Sequence, residues 1–230
     1  MSAIDLSHRL DRQEALLGNK AMEKLHNSSV IVFGLGGVGG YVVEALARGG
    51  VGNLTLVDAD TIDVTNLNRQ IVATSENIGL SKVDEMIKRV RLIAPDCNVT
   101  GKEMLYLPDN ADEIDLTKYD YVVDAIDNVT AKIELVCRCN KLGVPIISSM
   151  GTAKKINPTL FRVADIYDTK VCPLCKVMRK ELSERGINRL KVVYSEEKPI
   201  SCEGRTLGSV SFVPGVAGLI IGGEVIKDMI

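Results

Sequence analysis

A chain of 230 residues, 46% hydrophobic and 25% charged, has the apolar content for one large buried core, which excludes a disordered or fibrous protein. Its formal net charge of -2 excludes wholesale attraction to polyanions, so a nucleic-acid partner would have to meet a local basic patch. The two histidines, His8 and His26, fall in no spaced cluster and argue against a Ser-His-Asp triad.

The N-terminal stretch from Met1 to Gly18 carries charges throughout and lacks the apolar core of a secretory signal, so a cytoplasmic protein is expected. Val30 to Phe33 is a β-branched run and Gly34 to Gly39 a tight turn, after which Val38, Val42, Ala45 and Leu46 recur at helical spacing. Leu54 to Val57 is the next strand, which completes a βαβ unit. A second helix is predicted from Ser81 to Leu92, with Ser81 as cap and Asp84 as its reciprocal acid. Tyr121 to Ala125 and Val144 to Ile147 are further buried strands, separated by a helix from about Ala131 to Lys141. Thr159 to Ala164 and Val210 to Val213 are predicted as antiparallel or edge strands, and the polar stretch 167–205 as a mobile or substrate-facing excursion. The tail from Pro214 is apolar nearly all round, and a buried helix closing the sheet is preferred to a membrane anchor. The expectation is a single α/β domain over 1–230: a Rossmann-like, doubly wound, mostly parallel sheet with helices on both faces, plus antiparallel C-terminal strands.

The turn "GLGGVG" lets the backbone approach a phosphate at Gly34, Gly36 and Gly39, and Asp58 at the end of the second strand can accept from ribose hydroxyls. These features serve NAD and ATP alike. The discriminating stretch is "DADTIDVTNLNRQ", because triphosphate cleavage needs cations and amides around its leaving group, as Arg69 and Asn66 would supply; a solvated loop is the alternative. Lys82 falls in the first turn of its helix, where a cation opposes the macrodipole unless something anionic offsets it or the chain bends into water. Asp127 in "AIDN" lies at the carboxyl edge of the sheet, where a carboxylate can hold magnesium or simply cap the helix ahead of Ala131. Asp124 is expected to be a packed or capping acid.

Taken together, "RLDRQ", "GLGGVG", "DADTIDVTNLNRQ", "GLSK" and "AIDN" resemble the adenylating domain shared by ubiquitin-activating enzymes and sulfur-carrier activators. That resemblance implies ATP as cofactor, with Gly34, Gly36, Gly37 and Gly39 lining the phosphates, Asp58 on the ribose, and Asn66, Arg69 and Lys82 on the phosphates. It further implies Mg2+ on Asp127 and a homodimer in which Arg12 reaches into the partner's site; Arg12, Arg69, Lys82 and Asp127 would then be the catalytic set. Within the family, "GTAKKINPTLFRVADIYDTKVCPLCKVMRKELSERGI" and "GSVSFVPGVAGLIIGGEVIKDMI" look like the tRNA threonylcarbamoyladenosine dehydratases. The implied reaction is ATP-dependent adenylation of the threonyl carboxylate of threonylcarbamoyladenosine in tRNA, followed by ring closure. The alternative is adenylation of the C-terminus of a ubiquitin-like sulfur-carrier protein. No membrane partner is expected.

A basic cluster, Lys170, Lys176, Arg179, Lys180, Arg185, Arg189 and Lys191, would suit an RNA backbone or, alternatively, a helix face laced with i,i+4 pairs. Cys172 and Cys175 form a single CxxC with no second pair downstream, so a four-cysteine zinc site within the chain is unsupported. A local variant, a redox-sensitive dithiol and half of a site shared across a dimer stay open, in that order, as does a sulfur-transfer partner protein. Cys202 is a weak candidate for a thioester site, and Cys137 and Cys139 are expected to be small helix residues.

Overall fold

The computed structural model describes residues 6–201 and 207–230. Cys202 and the other residues of 202–206 lie outside this range, so the thioester expectation is not addressed by it. Strands β1 (Ser29–Phe33), β2 (Asn53–Asp58), β3 (Asn98–Glu103), β4 (Tyr121–Asp124), β5 (Ile146–Ser149), β6 (Phe161–Asp165) and β7 (Lys191–Ser195) form one sheet in the order β3-β2-β1-β4-β5-β7-β6. All neighbours are parallel except β6, which runs antiparallel to β7 at the edge. The helices are α1 (Asp11–Leu17), α2 (Asn19–Asn27), α3 (Gly39–Arg48), α4 (Lys82–Ile93), α5 (Val129–Leu142), α6 (Pro173–Glu184) and α7 (Val213–Met229).

The two-residue side-chain period of the strands feeds two faces. Val30, Val32, Leu54 and Leu56 face Val42, Leu46, Met86 and Ile221 on one side, whereas Ile31, Phe33 and Val122 face Ala131, Leu135 and Cys139 on the other. A sheet covered on both faces follows. The strand order reverses between β1 and β4, which splays the loops after them and opens a crevice at the carboxyl edge.

Helix α7 is the buried closing helix that its apolar composition suggests. It crosses α3 so closely that a Cβ at Gly218 would stand 2.3 Å from the Val38 carbonyl oxygen. No helix among the described residues is long and apolar enough to cross a membrane.

Two expectations need correction, and two strands are additional. Val210 to Phe212 is not a strand; Val213 already opens α7 with Pro214 in its first turn, and both sides of β7 are filled by β5 and β6. Strands β3 and β7 were not predicted. The supposedly mobile stretch contains α6 and β7, whose Cys175, Met178, Leu182, Val192 and Tyr194 build a third apolar cluster.

Candidate active site

A cleft of about 480 Å³ opens at the carboxyl edge of the sheet. Its floor starts at the turn after β1. Gly34 has φ +87°, and a Cβ there would press 2.6 Å from the Ala125 carbonyl; a Cβ at Gly39 would lie 1.7 Å from the Gly34 carbonyl. Only glycine fits these two places, and the result is a bare backbone facing the cleft through Gly34, Gly36 and Gly37. Gly39 is instead the first residue of α3 and lies beneath that surface, not in the cleft lining.

Asp58 ends β2 beside this turn. Its Oδ2 accepts from the Leu35 amide at 2.5 Å and its Oδ1 from the Asp60 amide at 2.8 Å, which locks the carboxylate in place while leaving lone pairs on both oxygens. Downstream, Asp63 caps a short 3-10 turn by accepting from Thr65, and the Oδ1 of Asn66 accepts from the Asp63 amide at 3.1 Å. That reciprocal box orients Asn66, whose Nδ2 has no partner among the described residues. Arg69 follows one turn later, with its Nη1 donating to the Thr65 carbonyl and the Asn68 side chain, both at 2.9 Å. Its Nε and Nη2 have no partner among the described residues, and the side chain lines the cleft.

Lys82 is only 4% exposed although it opens α4. The anion that offsets it is Asp60, whose Oδ2 accepts from Nζ at 2.7 Å. An ammonium has three donors, so two remain for a ligand. Asp127 stands across the cleft after β4, exposed, with no hydrogen-bond or ion-pair partner among the described residues. It is not the helix cap: Asn128 accepts from the Ala131 amide at 3.0 Å in that role. Asp124 is packed as expected. Fully buried, it takes both oxygens to Lys132 Nζ at 2.9 Å, with Ser148 Oγ at 2.6 Å and the Ile126 amide at 3.1 Å. The three contacts tie the ends of β4, α5 and β5 together under Asp127.

One cleft therefore gathers Gly34, Gly36, Gly37, Asp58, Asn66, Arg69, Lys82 and Asp127. Arg12 is elsewhere, exposed on α1. Three lining features were missed. Gln70 is 6% exposed with its Oε1 unpartnered, next to Gly36, and the adjacent Arg69 in "NRQ" was the available signal. Met104 to Tyr106 follow β3, and Ser149 to Ala153 follow β5; both segments are found by the rule that ligands lie beyond strand carboxyl ends, once the strands are known.

Of the seven basic residues, Arg179 donates to the Thr169 and Ile166 carbonyls, Lys180 and Arg185 pair with Glu184 and Glu181 on α6, and Lys191 pairs with Glu224 and Asp228. Lys170, Lys176 and Arg189 are exposed and have no partner among the described residues. The CxxC is buried at the N-terminus of α6, with no metal-ligating cluster around it among the described residues.

The chain is similar to known proteins over nearly its whole length. The chain is 40% identical to the tRNA threonylcarbamoyladenosine dehydratase of Bacillus subtilis, over 97% of its own length and 95% of that relative. It is 40% identical to the Escherichia coli dehydratase over 75% of its length and 65% of that protein. The crystal structure of the E. coli enzyme in complex with AMP superposes with a TM-score of 0.92 at 32% identity, covering 99% of this chain and 97% of that one. The same enzyme in complex with ATP superposes equally well, at 33% identity. A molybdopterin-synthase adenylyltransferase from Haemophilus influenzae is 35% identical over only 63% of the chain. The family model matches residues 10–230, and the chain belongs to the ThiF family.

Proposed function

We propose that the protein is an ATP-dependent tRNA-modifying dehydratase that adenylates the threonyl carboxylate of threonylcarbamoyladenosine in tRNA and promotes its cyclisation. The observation that carries this reading is the convergence of Arg69, Asn66 and Lys82 on the bare glycine turn opposite the unpartnered Asp127.

The order of strand ends gives the order of the ligand. Apolar Met104 and Leu105 beyond β3 suit a base, Asp58 beyond β2 a ribose, and the amides after β1 the phosphates. Asp127 beyond β4 suits Mg2+, since that ion is usually held by one or two carboxylates plus phosphate oxygens, and this carboxylate is uncommitted. When bound, the ion neutralises charge on the phosphates. The segment Ser149 to Ala153 beyond β5 then faces the incoming carboxylate.

A carboxylate is a poor electrophile until one oxygen belongs to a good leaving group. Its oxygen attacks the α-phosphorus and pyrophosphate departs, with the free N–H groups of Arg69, the Asn66 amide and Lys82 receiving the developing charge. A neighbouring atom of the same modification next attacks the activated carbonyl and AMP leaves, so that the nucleoside loses one water overall. Lys170, Lys176 and Arg189 provide backbone contacts to tRNA. Arg12, exposed on α1, suits a homodimer in which it completes the partner's cleft.

The test is AMP and pyrophosphate release from ATP in the presence of tRNA carrying threonylcarbamoyladenosine, tRNA lacking it, or a sulfur-carrier protein. Release that depends on the modified tRNA, with loss of one water by nucleoside mass, is expected. Release only with the carrier protein would overturn the reading in favour of sulfur-carrier activation.

A further inference from the structure

The mechanism above makes no use of Cys172 and Cys175, which belong to the third apolar cluster but, unlike the other described cysteines, lie at the start of a helix. Cys97 and Cys139 are packed in apolar clusters, where burial pushes their thiols up to about 11 and about 12. Cys172 is 3% exposed but is the N-cap of the twelve-residue α6, where helix amides point outward. The neighbouring Cys175 thiol, above all, and the nearby amides of Cys175, Gly151 and Leu174 outweigh burial and favour its thiolate. The thiol of Cys175, as the donor, is held protonated, with burial adding to the effect.

The chain just before the pair is strained. The Cys172 amide donates to the Lys170 carbonyl at 2.6 Å across Val171, whose φ is +65°. This is a γ-turn of the rare hand, carried by a β-branched residue that strongly disfavours positive φ. Such strain persists where the surroundings enforce it, commonly at functional sites. On the opposite side the sulfur abuts the nucleotide cleft: a Cβ at Gly151, which lines it, would be 3.7 Å from Cys172 Sγ, and Leu174 lines the cleft as well.

We propose that Cys172 and Cys175 form a dithiol–disulfide exchange site whose substrate is a disulfide of a small thiol or a protein, and that its state is coupled to the cleft through Gly151. The coupling half rests on the nucleotide reading of that cleft; the exchange half does not. The Cys172 thiolate attacks one sulfur of the incoming disulfide and expels the first thiolate, leaving a mixed disulfide. The Cys175 proton passes to that departing thiolate, and the Cys175 sulfur then attacks Cys172 Sγ to release the second. Two electrons move from the thiolate–thiol pair to the disulfide, which leaves as one thiol, carrying the Cys175 proton, and one thiolate that is protonated from solvent. Both sulfurs are covered, so the turn at Val171 must open for the exchange. Once Cys172 is bonded to Cys175, the Gly151 backbone of the cleft wall packs against a neutral, differently placed sulfur in place of an anionic one.

The experiment equilibrates the full chain across reduced and oxidised glutathione ratios, with and without ATP, then quenches in acid, alkylates with iodoacetamide and analyses peptides by mass. The expected result is one reversible transition in which Cys172 and Cys175 lose their alkyl groups together while Cys97 and Cys139 keep theirs. Cys175→Ser should trap glutathione on Cys172, and Cys172→Ser should trap none. No transition, or glutathione on either cysteine alike, would overturn the exchange site. ATP is expected to move the midpoint ratio about fivefold or more toward the oxidised side, because linkage is reciprocal. A midpoint unmoved by ATP that calorimetry shows to be bound would overturn the coupling. Absence of ATP binding to the reduced protein would be failure of the nucleotide reading instead, and the glutathione transition alone would still decide the exchange site.

Discussion

The region around the crevice and the region around α6 use charge in opposite ways. Beneath the crevice, Asp124 and Lys132 are paired at 0% and 1% side-chain exposure, while Arg69 and Asp127 face the opening with donors and acceptors uncommitted. On α6, Lys180 and Arg185 meet Glu184 and Glu181 on a solvated surface, above an underside of Cys175, Met178 and Leu182. The second region has the denser run of charges in sequence, but most of that charge is neutralised locally. A site is marked by what burial fixes and what pairing leaves over.

The sharpest way to break this contrast is to remove Lys132. Lys132→Met should leave the Asp124 carboxylate buried without its cation and cost about 3–5 kcal/mol. Lys180→Ala, which deletes one exposed partner at 3.9 Å, should shift stability by less than about 0.5 kcal/mol. Urea denaturation compares the two, and similar midpoints would erase the distinction.

Next in size are the uncommitted groups. Arg69→Ala and Asp127→Ala should each reduce modified-tRNA-dependent AMP release by about a hundredfold to a thousandfold, the usual loss when transition-state charge is left unmet. Neither makes the buried contacts that hold the fold, so their urea midpoints should stay near wild type. Wild-type turnover in either variant would remove that residue from the site.

Glu44 tests the region between crevice and exterior. It is 7% exposed on α3, where burial raises its carboxyl but Arg89 at 2.7 Å and Arg48 outweigh that and hold it below the usual carboxylate range. A folded value below the unfolded one means that the stabilisation is present above the ordinary carboxylate pKa and is lost as pH falls through the depressed value. Glu44→Gln should therefore be less stable than wild type by about 1.5–3 kcal/mol at neutral pH, the range for charged hydrogen bonds. The gap should close in acid, and a constant gap across pH would assign the loss to packing instead.

The crevice was legible because its signals are local. "GLGGVG" between two β-branched runs forces a strand, a turn and a helix, and "DVTN" is a capping pattern whose geometry places Arg69 one turn on. The alternative for Asp127 was resolvable only in three dimensions, since Asp127 and Asn128 are equally good caps by type. Strand β3 was invisible for a different reason: as an edge strand it buries only Val99, so "NVTGKE" carries no apolar pattern. In the α6 region, Pro173 at the first helical position and Cys175, Met178 and Leu182 at helical spacing were readable. The polarity of 167–205 pointed to a mobile or substrate-facing excursion, although Arg179 and Lys191 are fixed inward by carbonyls and by the acids of α7.

The smallest effect is expected where the contrast predicts leftover charge on α6 and its flanks. Lys170, Lys176 and Arg189 are the exposed cations of the cluster without a partner among the described residues, so they are the ones able to displace counterions from a polyanion without first breaking a pair. Neutralising Lys176 or Arg189 to Gln should lower the slope of log affinity for tRNA against log salt by about 1 each, with little change in catalysis on saturating tRNA. Arg185→Gln removes the same formal charge, but one already held by Glu181 at 2.8 Å, and should change the slope by much less. Filter binding across a salt series reads both. Equal slopes for the Lys176 and Arg185 variants would mean that the ion pairs on α6 open freely when RNA arrives, and that charge count rather than pairing governs this face.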